Sequence, residues 1–281
     1  LAALGVDDPE NYVDPNSEAV AGVLRGNSEL EEEEASTTTY GFVFQPEFAP
    51  GLTLSLDWYD IKIDNAVNTA VPQEAAEICV DSPSINNNTF CNLFTREQGT
   101  GAIIDFVQQP VNVANFVTKG YDLNLRYVFD GAALGMAKDI GKFTLVVVGN
   151  KLQDLTFVNL PGAPADPDAG EADAPEWQTN FDLTWEIKSL TLNYGLSWFD
   201  ETQRYTLQER NSNPDIVDSR YFDYDAKLTQ DFYARYELLD GLAVFGGVNN
   251  FTNEKPDIGE YDYPVSPIGR AFFAGVKMSV L

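Results

Sequence analysis

Strict alternation between apolar and polar residues is the feature of this sequence that most limits its fold. In the longest run, from Phe222 to Leu238, mostly apolar or aromatic side chains occupy the even positions and mostly polar side chains the odd positions. A period of two places these two sets on opposite faces of a β-strand, whereas a helix needs a period of about 3.6. The run is about three times as long as a typical strand of a soluble protein. The sequence therefore predicts long strands with one apolar and one polar face.

The same alternation recurs along the chain and predicts about nine strands. They are 36–45, 52–63, 121–129, 142–155, 177–187, 190–198, 222–238, 242–251 and 269–280. A helical period is found only at Pro72–Ile78, between two strands. The sequence has no run of about eighteen apolar residues, which excludes a transmembrane helix. Barrel strands remain possible, because their hydrophobicity is hidden in the alternation.

The connections between these strands alternate in length. Short connections lie at Pro50-Gly51, at 131–140, at Lys188-Ser189 and at Asp240-Gly241, and a long connection follows each of them. Outer-membrane barrels have this layout, with short periplasmic turns and long extracellular loops. A soluble β-sandwich gives no reason for such regularity.

Charge is distributed unevenly in this chain of 281 residues, which has a net charge of −27 and no histidine. Most of the excess of acidic residues lies in the opening segment and in the long connections, whereas the strands and short turns together are close to neutral. In the barrel layout, nearly all of the excess charge lies on one rim. A nucleic-acid partner is not expected, because phosphate binding needs clustered lysine and arginine.

Two cysteines, Cys79 and Cys91, lie in the longest connection. Their spacing and the turn-forming residues between them favour a disulfide that closes a surface loop. Two free thiols, or a two-ligand metal site without histidine partners, are the alternatives. A disulfide would imply folding in an oxidising compartment.

Several short motifs follow one another in a recognisable order. An acidic loop that begins at Gly26-Asn27-Ser28 precedes a strand, the Pro50-Gly51 turn and the strand motif Asp57-Trp58-Tyr59-Asp60-Ile61-Lys62-Ile63. Further matches are Cys91-Asn92-Leu93-Phe94, Lys119-Gly120-Tyr121-Asp122, Gly246-Gly247-Val248-Asn249-Asn250-Phe251 and Gly269-Arg270-Ala271-Phe272-Phe273. In this order the motifs resemble the carboxy-terminal half of the TonB-dependent outer-membrane receptors. The chain departs from that pattern at Ser28 and Glu32-Glu33, where the family prefers prolines.

The resemblance implies an all-β fold, in which the chain supplies about nine strands of a barrel of about 22 strands with a plugged lumen. We expect residues 1–35 to form an extracellular loop segment and residues 36–281 to form C-terminal barrel strands with long acidic extracellular loops. The plug and the earlier strands are not part of this sequence. The chain is therefore expected to be a fragment that forms an open, curved antiparallel sheet.

The implied function is energised import of a scarce ligand across the outer membrane of a Gram-negative bacterium. The implied partners are outer-membrane lipid, the plug domain of the same full-length protein, the TonB system through the missing amino-terminal part, and the imported small ligand. Neither catalysis nor a cofactor is expected.

The candidate ligand-contacting loops are 64–112, 155–176, 200–219 and 252–268. Aromatic residues at their feet can stack on sugars or other flat ligands, or form the interfacial girdle of a barrel; they are Trp177, Trp198, Phe199, Tyr205 and Tyr221. An acidic group can hold Ca²⁺, although its spacing departs from the EF-hand loop and a flexible acidic loop is the simpler interpretation; it consists of Asp166, Asp168, Glu171 and Asp173. Charged residues on the polar strand faces are expected to line the lumen and meet the plug; they are Asp122, Arg126, Asp182, Glu186, Asp225, Lys227 and Arg235.

The ligand class is less constrained than the fold. An acidic rim opposes anionic ferric siderophores by Coulomb repulsion but tolerates neutral sugars, which favours an oligosaccharide. A secreted carbohydrate-binding or adhesive β protein would also explain the strands, the acidity and the disulfide. A β-sandwich hydrolase would instead need a carboxylate pair, such as Asp57 with Asp60 or Asp223 with Asp225.

Overall fold

The structure of the chain is a computed structural model. It describes residues 7, 20–69, 71–81, 88, 90–137, 140–158, 165–213, 215–257 and 264–279. Within these residues the chain forms fifteen β-strands and two short α-helices. None of the helices in the described part is long and apolar enough to cross a membrane.

The strands vary from two to twenty residues. They are β1 (Gly22–Leu24), β2 (Glu34–Phe44), β3 (Leu52–Asn68), β4 (Phe94–Arg96), β5 (Ile103–Gln108), β6 (Val111–Asp130), β7 (Lys142–Val158), β8 (Asp166–Pro167), β9 (Trp177–Ile187), β10 (Leu190–Phe199), β11 (Thr202–Gln203), β12 (Asp223–Tyr224), β13 (Lys227–Leu239), β14 (Leu242–Asn249) and β15 (Ala271–Met278). The helices are α1 (Pro72–Asp81) and α2 (Leu207–Ser212). The predicted helix at Pro72–Ile78 is therefore confirmed, and it continues to Asp81.

Nine long strands form one sheet in the order β2-β3-β6-β7-β9-β10-β13-β14-β15, and β8 pairs with β7. These nine are the strands that the alternation predicts. The pairs from β7 to β15 are antiparallel, and each of these long strands lies beside the next long strand in the chain. Among the described residues β2 and β15 stand at the two ends of the order, so this sheet is open and does not close into a barrel.

The register of the sheet gathers apolar side chains on one face. One row runs across five strands through directly paired residues; it consists of Phe272, Val248, Phe232, Tyr194 and Leu183. Phe272 is 77% exposed although it belongs to this apolar row. A sheet face that is apolar and also exposed requires an apolar surrounding, as the lipid-facing side of a membrane barrel does.

Hydrogen bonds between side chains cross the opposite face. Ser197 Oγ donates to Asn180 Oδ1 at 2.7 Å, and Asn193 Nδ2 donates to Thr184 Oγ1 at 3.0 Å. Farther along the sheet, Asn150 Nδ2 donates to Asp122 Oδ1 at 2.8 Å. The predicted faces are therefore present, while the prediction that the charged residues line a lumen stays a prediction.

Two of the short connections are tight turns, as their sequences predict. Ile187 pairs with Leu190 across a two-residue turn in which Lys188 has φ 52°. Leu239 pairs with Leu242 across a second turn, in which Gly241 has φ 78°. Positive φ at such positions gives a hairpin turn the twist that its strands need.

The longest predicted strand, 222–238, is interrupted. Asp223–Tyr224 forms β12 and pairs with β11, and the regular strand β13 begins only at Lys227. The backbone N–H of Asp225 donates to Asp257 Oδ2 at 2.8 Å, so it bonds to a side chain. The alternation continues through this break, which is why the sequence pattern alone predicts one strand.

Neighbouring atoms lie so close to Gly120 of β6 that a residue with a side chain does not fit at this position. A Cβ atom there would overlap the Tyr59 hydroxyl and lie 2.5 Å from the backbone oxygen of Lys151, whereas one at Gly149 of β7 would meet its nearest neighbour at 3.4 Å. We expect Gly120→Ala to lower the free energy of unfolding by about 2 kcal/mol and Gly149→Ala to lower it by less than about 0.5 kcal/mol. Denaturant unfolding of the folded chain measures both values, and equal losses would contradict this prediction.

The chain divides into two compact units by its contacts. Unit 1 consists of Leu1–Ser36, Lys62–Val117 and Thr156–Pro167, and unit 2 of Thr37–Ile61, Thr118–Leu155 and Asp168–Leu281. Unit 1 contains a three-stranded sheet of order β1-β5-β4, in which β1 and β5 are parallel. Its apolar core consists of Ala75, Phe90, Leu93, Phe106 and Val111. The sequence does not predict this small sheet, because its strands are too short to show a period.

Candidate functional site

A polar cleft lies in unit 2 among the long connections that precede β9, follow β10 and precede β13. Its volume is about 390 Å³. It is lined by Gly170, Glu176, Asp200, Glu201, Thr202, Gln203, Arg210 and Asp223. The long connection between β10 and β13 therefore supplies most of the lining, while its contact with a ligand stays a prediction.

Backbone hydrogen bonds hold the walls of the polar cleft together. Thr202 and Gln203 pair with Tyr224 and Asp223 as the short β11–β12 ribbon. The N–H of Gln203 donates to the Gly170 carbonyl at 2.6 Å, which joins this ribbon to the connection before β9. Gly170 itself has φ 92°, a conformation that favours glycine. The cleft is thus built from two connections that are fixed to each other.

Helix α2 forms one side of the polar cleft, and its first turn is specified by the sequence. Thr206 accepts a hydrogen bond from Glu209 N at 3.1 Å, and the Glu209 carboxylate accepts one from Thr206 N at 2.8 Å. This reciprocal arrangement is a capping box, which stabilises the start of a short helix. The spacing of a threonine and a glutamate three residues apart is the signal by which α2 can be found in the sequence.

Arg210 extends from α2 and bonds to the walls of the cleft through its Nε and Nη2 atoms. Its Nε donates to the Tyr205 carbonyl at 2.7 Å, and its Nη2 donates to the Phe222 carbonyl at 3.0 Å and to Asp223 Oδ1 at 2.5 Å. The guanidinium also lies 4.8 Å from the centre of the Phe222 ring. Arg210 therefore joins α2 to β12, and the carboxylate of Asp223 offsets its positive charge.

Carboxylates dominate the remaining chemistry of the polar cleft. Glu176 is paired with Lys151 at 2.7 Å, and Asp200 accepts a bond from the neighbouring Glu201 N–H at 3.0 Å. Carboxylate oxygens accept hydrogen bonds and attract cations, whereas they repel phosphates and other carboxylates. The cleft therefore suits a ligand that is rich in hydroxyl groups or positively charged.

The five predicted aromatic residues are not among the residues that line the polar cleft. Trp177 is 44% exposed, and the Lys151 ammonium lies 4.9 Å from the centre of its ring. Trp198 and Phe199 are half-buried at the end of β10. Tyr205 and Tyr221 each have an arginine side chain against the ring, Arg204 at 5.5 Å and Arg220 at 5.6 Å respectively. Ligand stacking on these rings stays a prediction.

The acidic residues predicted as a possible Ca²⁺ site lie just before β9. In unit 2, Glu171 N donates to the Asp168 carbonyl at 2.9 Å within a turn. Calcium binding by this group stays a prediction. Two of the carboxylates proposed for a hydrolase are held by cations instead, since Asp60 lies 3.6 Å from Lys119 Nζ and Asp223 is bound by Arg210.

The predicted disulfide is present in unit 1. Cys79 near the end of α1 is bonded to Cys91, and their Cα atoms are 4.9 Å apart. Cys79 is almost fully buried. The bond joins α1 to the turn at Cys91–Leu93, beside core residues Phe90 and Leu93.

Similarity to known proteins agrees with this architecture. Residues 8–251 match the family model described as TonB dependent receptor-like, beta-barrel. No curated protein sequence matches the chain.

Solved structures share the fold at low identity. A mutant of the ferric enterobactin receptor PfeA from Pseudomonas aeruginosa aligns with 92% of this chain and 32% of its own, with 16% identity and a TM-score of 0.57. The FrpB iron transporter from Neisseria meningitidis aligns with 92% of this chain and 33% of its own, with 15% identity and a TM-score of 0.57. P. aeruginosa FpvA bound to pyoverdine aligns with 89% of this chain and 27% of its own, with 15% identity and a TM-score of 0.52. The chain thus spans about a third of the length of these proteins.

The family match covers most of the chain, and the open nine-stranded sheet with one apolar face has the organisation of a barrel segment. The chain belongs to the TonB-dependent receptor β-barrel family.

Proposed function

We propose that the chain is the carboxy-terminal barrel portion of an outer-membrane receptor that imports an oligosaccharide. In this proposal residues 1–35 are an extracellular loop segment, and residues 36–281 supply the barrel strands and their long acidic loops. The plug domain, the TonB system and outer-membrane lipid are the partners of the full-length protein. Support comes from the family match and from the apolar, exposed face of the sheet.

The side chains that line the polar cleft favour an oligosaccharide over a ferric siderophore as the ligand. Asp200, Glu201 and Glu176 offer acceptor oxygens, and Arg210 is occupied by Asp223 and by backbone carbonyls. Sugar hydroxyls donate well to carboxylates, and these charge-assisted bonds are stronger than neutral ones. An anionic ferric siderophore would be repelled by these carboxylates, and the one guanidinium among the described lining residues, that of Arg210, already has its charge paired with Asp223.

Binding of neutral hexasaccharides built from glucose, xylose or mannose, measured by calorimetry on the folded chain, tests the proposal. We expect Asp200→Ala with Glu201→Ala to weaken binding of the preferred sugar at least tenfold, because each lost bond to a charged group contributes about 1.5 to 3 kcal/mol. Asp215→Ala, a charge removal outside the cleft lining, is the matched control and should leave the affinity unchanged.

Ferric enterobactin is the discriminating competitor. Displacement of the sugar by ferric enterobactin, or tight binding of that siderophore that survives the double substitution, would overturn the choice of an oligosaccharide. Energised uptake requires the full-length protein, where deletion of the TonB system should abolish accumulation of the sugar while leaving surface binding intact. Accumulation without TonB would contradict the transport proposal.

A further inference from the structure

A second cleft, which we call the apolar cleft, lies within unit 1. Three structural elements meet there: strand β1, helix α1 and the β4–β5 pair. Its volume is about 490 Å³, within the range of about 300 to 1,000 Å³ that small-molecule sites occupy. It is lined by Val20, Gly22, Val23, Leu24, Pro72, Gln73, Ala76, Phe94, Ile103, Phe106 and Gln108.

The lining of the apolar cleft is uncharged. Its polar side chains are the amides of Gln73 and Gln108, and no Asp, Glu, Lys or Arg lines it in the part of the chain that the structure describes. This is unusual in a chain in which 22% of the residues are charged and the net charge is −27. A charged group buried here would lose its hydration without gaining a partner, so the cleft selects against ions.

The floor of the apolar cleft is rigid. Phe94 and Phe106 contact each other with ring centres 5.0 Å apart, and Phe106 belongs to the buried core of unit 1. Helix α1, which supplies Pro72 and Ala76, is joined near its end to the same core by the Cys79–Cys91 disulfide. A preformed cavity pays little ordering cost when a ligand enters.

Apolar side chains are exposed to solvent at the open side of the cleft. Val23 and Leu24 of β1 are exposed, and Gly22 lies so close to Phe106 that a Cβ atom would come within 3.2 Å of the Phe106 carbonyl. Because residue 22 is glycine, β1 can pair closely with the parallel strand β5. The side chains of Val23 and Leu24 then border the cavity. A ligand that covered them would remove apolar surface from water.

We propose that the apolar cleft is a binding site for an uncharged aliphatic amphiphile, whose chain enters the cavity while its hydroxyl or ester group lies at the rim beside Gln73, the amide of which also donates to Glu77 Oε1 at 3.0 Å. The observations that carry this proposal are the uncharged lining, the cavity volume and the rigid aromatic floor. It does not depend on the oligosaccharide proposed for the polar cleft, because the two sites share no residue.

Photolabelling with an octanol that carries a diazirine tests the site in the full chain folded in lipid bilayers. We expect adducts on the peptides that contain β1, β4 and β5, and excess unlabelled octanol should reduce them at least fivefold. Ala76→Phe should reduce them to a similar extent, because the ring fills the cavity. Val80→Phe places the same ring on an exposed position of α1 outside the lining, and should leave labelling unchanged.

Each outcome decides the proposal. Wild-type labelling that is not saturable, or that persists in Ala76→Phe, would overturn it, as would competition by sodium octanoate as strong as that by octanol. Absence of labelling would show that protein occupies the cleft and would equally overturn it. A thiol-reactive probe reports whether the disulfide, and hence the fold of unit 1, survives each substitution. Val23→Trp at the rim serves as the second blocking variant if Ala76→Phe fails to fold.

Discussion

Replacing Asp257 by alanine is expected to lower the free energy of unfolding of unit 2 by about 3 kcal/mol. Lys227 is the reason: its side chain is 5% exposed, and its ammonium lies 2.5 Å from Asp257 Oδ1 and 3.9 Å from Glu254 Oε1. Removing one partner of a buried ion pair leaves an uncompensated charge, which costs about 3 to 5 kcal/mol when no second partner is near. Glu254 reduces this loss but lies too far away to replace Asp257.

The substitution should also release the last long connection from the sheet. Asp257 Oδ2 accepts the Asp225 N–H, and nearby Asn250 N donates to Asp231 Oδ1 at 2.6 Å. These bonds fix the connection between β14 and β15 against the start of β13. Hydrogen exchange of the amides at 225–231 and 250–257 is therefore expected to accelerate in the variant, while the amides of β9 remain protected.

A double substitution separates the ion pair from simple loss of contacts. Lys227→Met in the Asp257→Ala background removes the buried charge as well, and apolar replacement of a whole buried pair is often neutral or stabilising. We expect this double variant to recover most of the lost stability. If it is as unstable as Asp257→Ala alone, the hydrogen bond to Asp225, and not the buried charge, accounts for the effect.

The exposed pair Asp218 and Arg220 is the matched control. Arg220 donates to both carboxylate oxygens of Asp218 at 3.0 Å, which lowers the pKa of the Asp218 carboxyl below its ordinary value of 3.8. A lowered pKa in the folded state means that the pair stabilises above the ordinary value and loses its effect only as the pH falls through the lowered one. Because both groups are in water and the pair is screened, Asp218→Ala should lower the unfolding midpoint at neutral pH far less than Asp257→Ala does.

The sequence predicts the long strands well because their pattern is a direct consequence of the fold. In β9 and β10 one face is apolar and the other polar, so every second residue reports its orientation. Turn residues such as Lys188 and Gly241 then mark the ends of strands to within a few residues. Long, regular hairpins can therefore be predicted from the sequence pattern alone.

The prediction is less accurate where a distant side chain determines the backbone. The break between β12 and β13 depends on Asp257, about thirty residues further along the chain, and nothing local at Asp225 signals it. The parallel pairing of Gly22 with Phe106 in β1 and β5 is a similar case, since segments of a few residues show no period. Hydrophobic periodicity reports only local structure, so it does not predict contacts between residues that are far apart in the sequence.

The candidate site divides in the same way. The loops that contribute the polar cleft were expected to contact a ligand, and 200–219 supplies five of the lining residues in the structure. The individual lining residues cannot be read from the sequence, because Thr202 and Gln203 belong to no pattern there, unlike large aromatic residues such as Trp177 and Tyr205. Their position depends on the bond from Gln203 to Gly170, a contact between two connections that no local motif specifies.

Removing the disulfide is expected to destabilise unit 1 by about 3 kcal/mol. Cys79 and Cys91 are twelve residues apart, and closing a loop of that length removes conformational entropy from the unfolded chain that corresponds to about 3 kcal/mol. The double substitution Cys79→Ser with Cys91→Ser should therefore leave α1 and the β4–β5 pair the first part of the chain to unfold. The apolar cleft should lose its octanol labelling at the same time, because α1 supplies one of its walls.

Hydrogen exchange followed by mass spectrometry separates this loss from a general effect on the protein. Amides of α1 and β5 are expected to exchange faster by about two orders of magnitude, since each 1.4 kcal/mol corresponds to about tenfold in an equilibrium constant. Amides of β10 and β13 in unit 2 should remain as protected as in the parent chain. A reducing agent should reproduce the pattern only slowly, because Cys79 is buried against the core. Equal acceleration in both units would instead mean that the sheet and the disulfide-linked segment unfold as one cooperative structure.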